Sequence, residues 1–223
     1  MKKWSGDFAI SDSSLIAAAH ELKSPVALIR QLALELDLNA RSDQKDILEQ
    51  LILTSERSLR LTTSLTRYRQ LNESLNVLNT EPVNAQQLCE EVAHELWPIY
   101  KAHGRSIEVA ERRSSPLVVA NRDLLRRILL HFGDNALQYS HSGKVLFRVN
   151  KSLSGVRVGL RDDGPTSPDV KNPLIGRPAS SGLGLMISSR FAEMMDGSIG
   201  SVRHRNGMTF YVQVIPSEQL ALL

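Results

Sequence analysis

A heptad seam constrains this chain more than any other feature. Ile47, Leu51, Thr54, Ser58, Leu61, Leu65 and Tyr68 recur at alternating steps of four and three, which places them along one stripe of a long helix at the period of a coiled coil. Leu48, Ile52, Leu59 and Leu71 lay a second apolar stripe beside it. Upstream, residues 11 to 38 carry Ile16, Ala19, Val26, Ile29, Ala33 and Leu36 at steps that fit a helix, with Ser11 or Asp12 as the cap. Asn39-Ala40-Arg41-Ser42 is a short polar break, and Ser42 or Asp43 can cap the helix that follows. Two long helices joined by a short loop predict an antiparallel hairpin. A lone hairpin cannot bury two apolar stripes, so a second copy is expected, giving a homodimer built on a four-helix bundle.

Near Asn79-Thr80-Glu81-Pro82 the pattern changes. Asn84, with Gln87 three residues later, resembles a capping box opening a helix through Leu88, Val92, Leu96 and Ile99. Residues 105 to 110 alternate as a strand does, and 117 to 120 form a short apolar strand. Residues 121 to 139 read as a helix, with Leu125, Ile128, Leu129 and Phe132 on its apolar side. Strands at 144 to 149 and 155 to 160 flank a turn, and a proline-rich loop runs from 165 to 178. A helix over 182 to 195 precedes two strands, 198 to 204 and 209 to 215, that meet at Asn206-Gly207. The expected fold class is α+β: a helical hairpin over residues 1–78, then an α/β sandwich over 79–223.

The chain has 223 residues, 42% of them hydrophobic and 23% charged, enough for two cores. A net charge of +3 gives a nucleic-acid function no support. A single cysteine, Cys89, excludes an internal disulfide or a cysteine metal cluster and fits a reducing compartment. No apolar run approaches the ~20 residues that cross a bilayer. Gly6-Asp7 interrupts the stretch after Met1-Lys2-Lys3-Trp4 that a signal peptide would need. The expected location is cytoplasmic, with no direct membrane segment in the chain.

Four stretches carry chemistry. In the first helix His20-Glu21-Leu22-Lys23-Ser24-Pro25 sets a histidine beside a carboxylate, with a hydroxyl one turn on, so His20 and Ser24 share a face. Far downstream, His131-Phe132-Gly133-Asp134-Asn135-Ala136-Leu137-Gln138-Tyr139 places polar residues where a helix would bury apolar ones. Asp162-Asp163-Gly164-Pro165 follows a strand directly, and Ser180-Ser181-Gly182-Leu183-Gly184-Leu185 opens a helix. The order and spacing of the last three resemble the ATP-binding domain shared by sensor histidine kinases, Hsp90-type chaperones, type II topoisomerases and mismatch-repair ATPases. With the opening motif, the chain resembles a sensor histidine kinase of two-component signalling over nearly its whole length.

The resemblance implies a Bergerat-type ATP-binding fold and gives the residues roles. Asn135 would supply a neutral oxygen to Mg²⁺ held between triphosphate oxygens. Asp162 would read the exocyclic amino group of adenine, and Gly164 would let the base approach the backbone. Gly182, Leu183 and Gly184 at a helix start would turn backbone N–H groups toward phosphate, with His131 and Gln138 also at the nucleotide. His20 would attack the γ-phosphate of ATP while Glu21 takes a hydrogen bond or proton from its ring. The phosphoryl group would pass to an aspartate of a response regulator. Ser24 stands where related kinases carry a threonine that helps dephosphorylate that regulator. The family pattern is altered at His131, usually asparagine, at Gln138, usually basic, at Thr166 and at Ser180. Two readings therefore stand: an active protein-histidine kinase using ATP and Mg²⁺, and a weakened or inactive kinase that serves as a dimeric receiver-binding adaptor or phosphatase.

Other conspicuous residues read as structural. His94-Glu95-Leu96 repeats three letters of the opening motif without its continuation. Cys89 and Trp97 are expected in the core. His103, His141 and His204 lack metal-ligand spacing, and Arg122, Arg126 and Arg127 read as a solvated helix face.

Overall fold

No glycine interrupts the chain between Asp12 and Glu73, so apart from Pro25 and the polar break in the middle little opposes helix over that length. The computed structural model, which describes residues 12–38, 40–73, 79–111, 116–139, 143–152, 154–163 and 183–218, has α1 at Asp12–Asp37 and α2 at Ser42–Glu73. Helix α1 continues past Pro25. The chain divides between Leu75 and Asn76 into two compact units.

In the first unit α1 packs along α2. Among its described side chains the buried ones are few: Ala33 and Leu65, with the polar Ser55, Thr62 and Ser64. Two of the buried hydroxyls are satisfied within their own helix, Ser55 donating to Ile52 O at 2.7 Å and Thr62 to Ser58 O at 3.0 Å. An ion pair of 2.9 Å between Arg30 and Glu56 ties the helices together. Leu22, Leu28, Ile29, Leu32 and Leu36 of α1, and Ile47 and Leu51 of α2, are exposed. The heptad seam is thus covered at Leu65 and uncovered at its start.

The second unit opens with β1 at Glu81–Asn84, a strand the sequence reading missed, and α3 at Ala85–Ala102. Asn84 caps α3, its side chain accepting from Gln87 N at 3.0 Å. The Gln87 side chain in turn donates through Nε2 to Glu91 Oε1 at 3.3 Å. Strands β2 (Ser106–Val109) and β3 (Leu117–Ala120) lead into α4 (Arg122–Tyr139), followed by β4 (Lys144–Ser152), β5 (Gly155–Asp162), α5 (Leu183–Glu193), β6 (Ser198–Arg203) and β7 (Met208–Pro216). The sheet runs β1-β3-β7-β5-β4-β2, with β6 also paired to β7. Among the described residues only the β2–β4 pair is parallel.

Alternation decides which sheet face is covered. Val145, Phe147 and Val149 of β4, Val156, Val158 and Leu160 of β5, and Phe210, Val212 and Val214 of β7 are buried, and α3, α4 and α5 pack over the strands. Phe132 of α4 meets Phe210 of β7 at a ring-centroid distance of 6.3 Å. On α3 the buried set is Ala85, Leu88, Cys89, Val92, Ala93, Leu96 and Tyr100, a helical stripe. Trp97 falls outside it and is exposed, a correction to the expectation that it faces the core. The reason is angular: it lies about 100° round the helix from Leu96.

Candidate nucleotide site

Helix α4 lies between its two neighbours, in contact with α3, α5 and β5. That central place explains why every residue from Ile128 to Ala136 is buried, although an amphipathic helix should bury only one face. Three of the nine are polar: His131, Asp134 and Asn135, at 3%, 7% and 9% exposure. Burying polar side chains is costly unless they find partners. Their concentration on one helix marks the site.

The start of α4 is fixed by Asn121, whose side chain accepts from Leu124 N at 3.1 Å and donates to Asn79 O at 2.9 Å. Its outer face is tied to α3 by ion pairs of Arg122 with Glu91 and Arg126 with Glu95, while Arg127 pairs with Asp123 at 3.0 Å within α4. The expected solvated basic face is exposed at Arg122 and partly exposed at Arg126, and these two also form a charge ladder to α3. Glu95, part of the partial repeat of the opening motif, is one of its rungs.

Two donors at the end of α3 and beyond reach α4 carbonyls one turn apart. The buried Tyr100 hydroxyl donates to Gly133 O at 2.7 Å, and the Arg105 guanidinium donates to Leu137 O. Gly133 lets the helices approach this closely, since a Cβ there would lie 2.2 Å from Leu96 Cδ1. Burial pushes the Tyr100 hydroxyl far above its usual range, and the carboxylates of Asp134 and Asp162 add to that. Tyr100 therefore stays a neutral donor beside two acidic groups. Sequence reasoning missed Tyr100, Asp134 and Ser188; an aromatic followed by Lys101 at a helix end gives no sign that its hydroxyl will serve another helix.

Asp162 ends β5 at 3% exposure, opposite Met208 of β7. The β6–β7 turn presses on its backbone: Gly207 has φ +97, and a Cβ there would lie 1.9 Å from Asp162 O. His131 shares a hydrogen bond of 3.0 Å, through Nδ1, with the fully buried Ser188 Oγ of α5. Leu183 opens α5 and Gly184 follows it.

His131 and Asn135 are thus buried on α4, which packs on β5 and α5, and Asp162 is buried at the end of β5. His20, Glu21 and Ser24 lie on α1 of the other unit. Ser24 is exposed; the side chains of His20, Glu21, Gln138 and Leu183 lie outside the described residues, as do Gly164, Gly182, Thr166, Ser180 and His141. Two of the remaining described histidines have local partners, His103 at Ile99 O and His204 at Thr209 Oγ1.

The donor chemistry fits a magnesium–nucleotide complex. Asn135 offers a neutral hard oxygen, suited to Mg²⁺ that takes its other ligands from phosphate and water. Asp162 offers an acceptor at the buried end of a strand, and Gly184 lies in the first turn of a helix.

Comparison with known proteins agrees with this geometry. Residues 120–219 match the family of histidine kinase-, DNA gyrase B- and HSP90-like ATPases. The sensor protein GacS of Pseudomonas syringae pv. syringae is 26% identical over 214 residues, covering 86% of this chain and 23% of that protein. The sensor protein kinase PmrB of Pseudomonas aeruginosa is 28% identical over 217 residues, covering 91% of this chain and 45% of PmrB. The chain thus spans less than half the length of these curated relatives. Among solved structures, full-length ShkA in complex with AMPPNP aligns at a TM-score of 0.67 with 26% identity, over 96% of this chain and 48% of ShkA. The Acinetobacter baumannii histidine kinase AdeS shares the fold at a TM-score of 0.56 and 18% identity, over 88% of this chain and 97% of that one. No described helix is long and apolar enough to cross a membrane. Residues 120–219 match the histidine kinase-, DNA gyrase B- and HSP90-like ATPases, and over most of its length the chain is similar to sensor histidine kinases.

Proposed function

We propose that the chain is an ATP-dependent protein histidine kinase that phosphorylates itself on His20 and passes the phosphoryl group to an aspartate of a response regulator. The observation that carries this is the buried polar set His131, Asn135 and Asp162, held in a mostly apolar core and joined by sequence to a helix bearing His20 and Glu21. Residues 1–78 form the dimerisation and phosphotransfer unit; residues 79–223 form the nucleotide unit.

Asn135 would hold Mg²⁺, with Asp162 and Gly164 toward adenine and Gly182, Leu183 and Gly184 toward phosphate. His131 and Gln138 complete the phosphate side. Bound Mg²⁺ would neutralise developing charge on the phosphate oxygens. The neutral His20 ring supplies the nitrogen lone pair that forms the N–P bond as the bond to the departing ADP breaks. Glu21 accepts the ring proton, and exposed Ser24 keeps a hydroxyl on the same helix for a later dephosphorylation step.

The exposed leucines and isoleucines of α1 and α2 support a homodimer, since a second hairpin is the economical cover for such stripes. His131 in the usual asparagine place, already engaged by Ser188, favours slow turnover and keeps a receiver-binding adaptor as the second reading.

Incubation with Mg²⁺ and γ-labelled ATP tests the proposal. An acid-labile, base-stable label that disappears in His20→Gln is the expected result. Failure to bind nucleotide at millimolar ATP would overturn it and leave the adaptor.

A further inference from the structure

Two buried hydroxyls of α2 bond to their own helix, as buried serine and threonine commonly do. Ser188 differs. It is fully buried, and its Oγ reaches 57 residues back in sequence to His131 Nδ1 on another helix. The positions at the two ends of this bond are informative. His131 lies four residues before Asn135, so both occupy one face of α4. Ser188 lies four residues after Gly184, one turn into α5 from its start. The bond therefore joins the turn next to the magnesium-ligand candidate to the turn next to the phosphate-facing helix start.

We propose that Ser188 is a positioning residue of the nucleotide site, which acts through His131 to hold the Asn135 turn of α4 in register with the opening of α5. The inference rests on the kinase reading above. Its physical content is that magnesium and phosphate must be gripped from two separate helices at once, and small relative shifts of those helices weaken that grip. Packing alone does not define such a register, because apolar contacts slide more easily than a directional bond. Adenine recognition at Asp162, on β5, does not depend on this register.

Two probes separate the effects: AMPPNP with magnesium, which needs both helices, and ADP without magnesium, which relies chiefly on the base. In Ser188→Ala, magnesium–AMPPNP affinity should fall about five- to tenfold, the worth of one buried hydrogen bond, while magnesium-free ADP affinity changes less than about twofold. Ser188→Cys, close in volume with a weak donor, should fall between, and it carries the test if Ser188→Ala does not fold. In a His131→Ala background Ser188→Ala should add nothing further, since the bond is already lost.

Equal losses for both probes, or additive losses in the double variant, would reduce Ser188 to a packing residue and overturn the inference. A Ser188→Ala protein that binds as the wild type does would overturn it alone. Wild-type protein that binds neither probe would overturn the kinase reading and this inference together.

Discussion

The two units of this chain use the same raw material, helices with apolar stripes, and end in opposite conditions. The sheet unit covers its stripes: α3, α4 and α5 pack over the strands, and α4 is buried all round at its centre. Among its described residues the hairpin buries little apolar surface beyond Ala33 and Leu65 and presents eight large aliphatic side chains to solvent. An exposed apolar row of that extent marks a surface meant to be covered. The difference teaches that the sheet unit can hold a buried polar site because its helices and strands cover one another, whereas many described apolar side chains of the hairpin stay uncovered within one chain.

The largest effect should come from damage to the sheet unit at Gly207. Its positive φ and the closeness of Asp162 O mean that Gly207→Ala adds both strain and overlap, about 2–4 kcal/mol of lost stability by urea denaturation. A variant as stable as the wild type would show that the turn does not press on β5. Next, Asp162→Asn should weaken ATP binding by about 10- to 100-fold in calorimetry, as loss of a buried charged hydrogen-bond acceptor does, with the hairpin unaffected.

Ile29→Glu combined with Leu36→Glu sharpens the other half. Light scattering should show the mass falling from two chains to one, with nucleotide affinity unchanged; a wild type that is already monomeric would refute the four-helix bundle.

The smallest effect is alkaline. Burial, with Glu90 adding, pushes the Cys89 thiol up from its usual 9.0, and Tyr100 is raised from its usual 10.0. Both stay protonated when folded and can ionise when unfolded, so the unfolded chain binds fewer protons above those ordinary values. Stability is full below about pH 9 and falls as pH rises beyond it. Urea midpoints measured at about pH 8 and about pH 10 should show the decline, and Cys89→Ala should make it shallower.

Much of the scaffold was legible because local signals agree with the final packing. Asn84 and Asn121 cap helices through their own side chains, and Asn206-Gly207 turns β6 into β7 with Gly207 at positive φ. Strand β1 was not legible: Glu81-Pro82-Val83-Asn84 offers one buried residue and a proline, and it exists by pairing with β3. The polar residues His131, Asn135 and Asp162 stood out because they break an apolar pattern. Their partners did not, since Tyr100 and Ser188 are recruited from distant helices by tertiary packing, and nothing local distinguishes them from ordinary core residues. Trp97 was misplaced for a related reason, because one residue of rotation separates it from the buried stripe.

The central claim is that the buried site of one unit serves the histidine of the other. It is tested most directly by following nucleotide binding and residue-resolved phosphorylation together in wild type, His20→Gln and Asp162→Asn. The account predicts a phosphoryl group on His20 in the wild type, full binding without transfer in His20→Gln, and loss of both in Asp162→Asn. Label retained in His20→Gln, or tight binding by the wild type with no phosphohistidine, would contradict it.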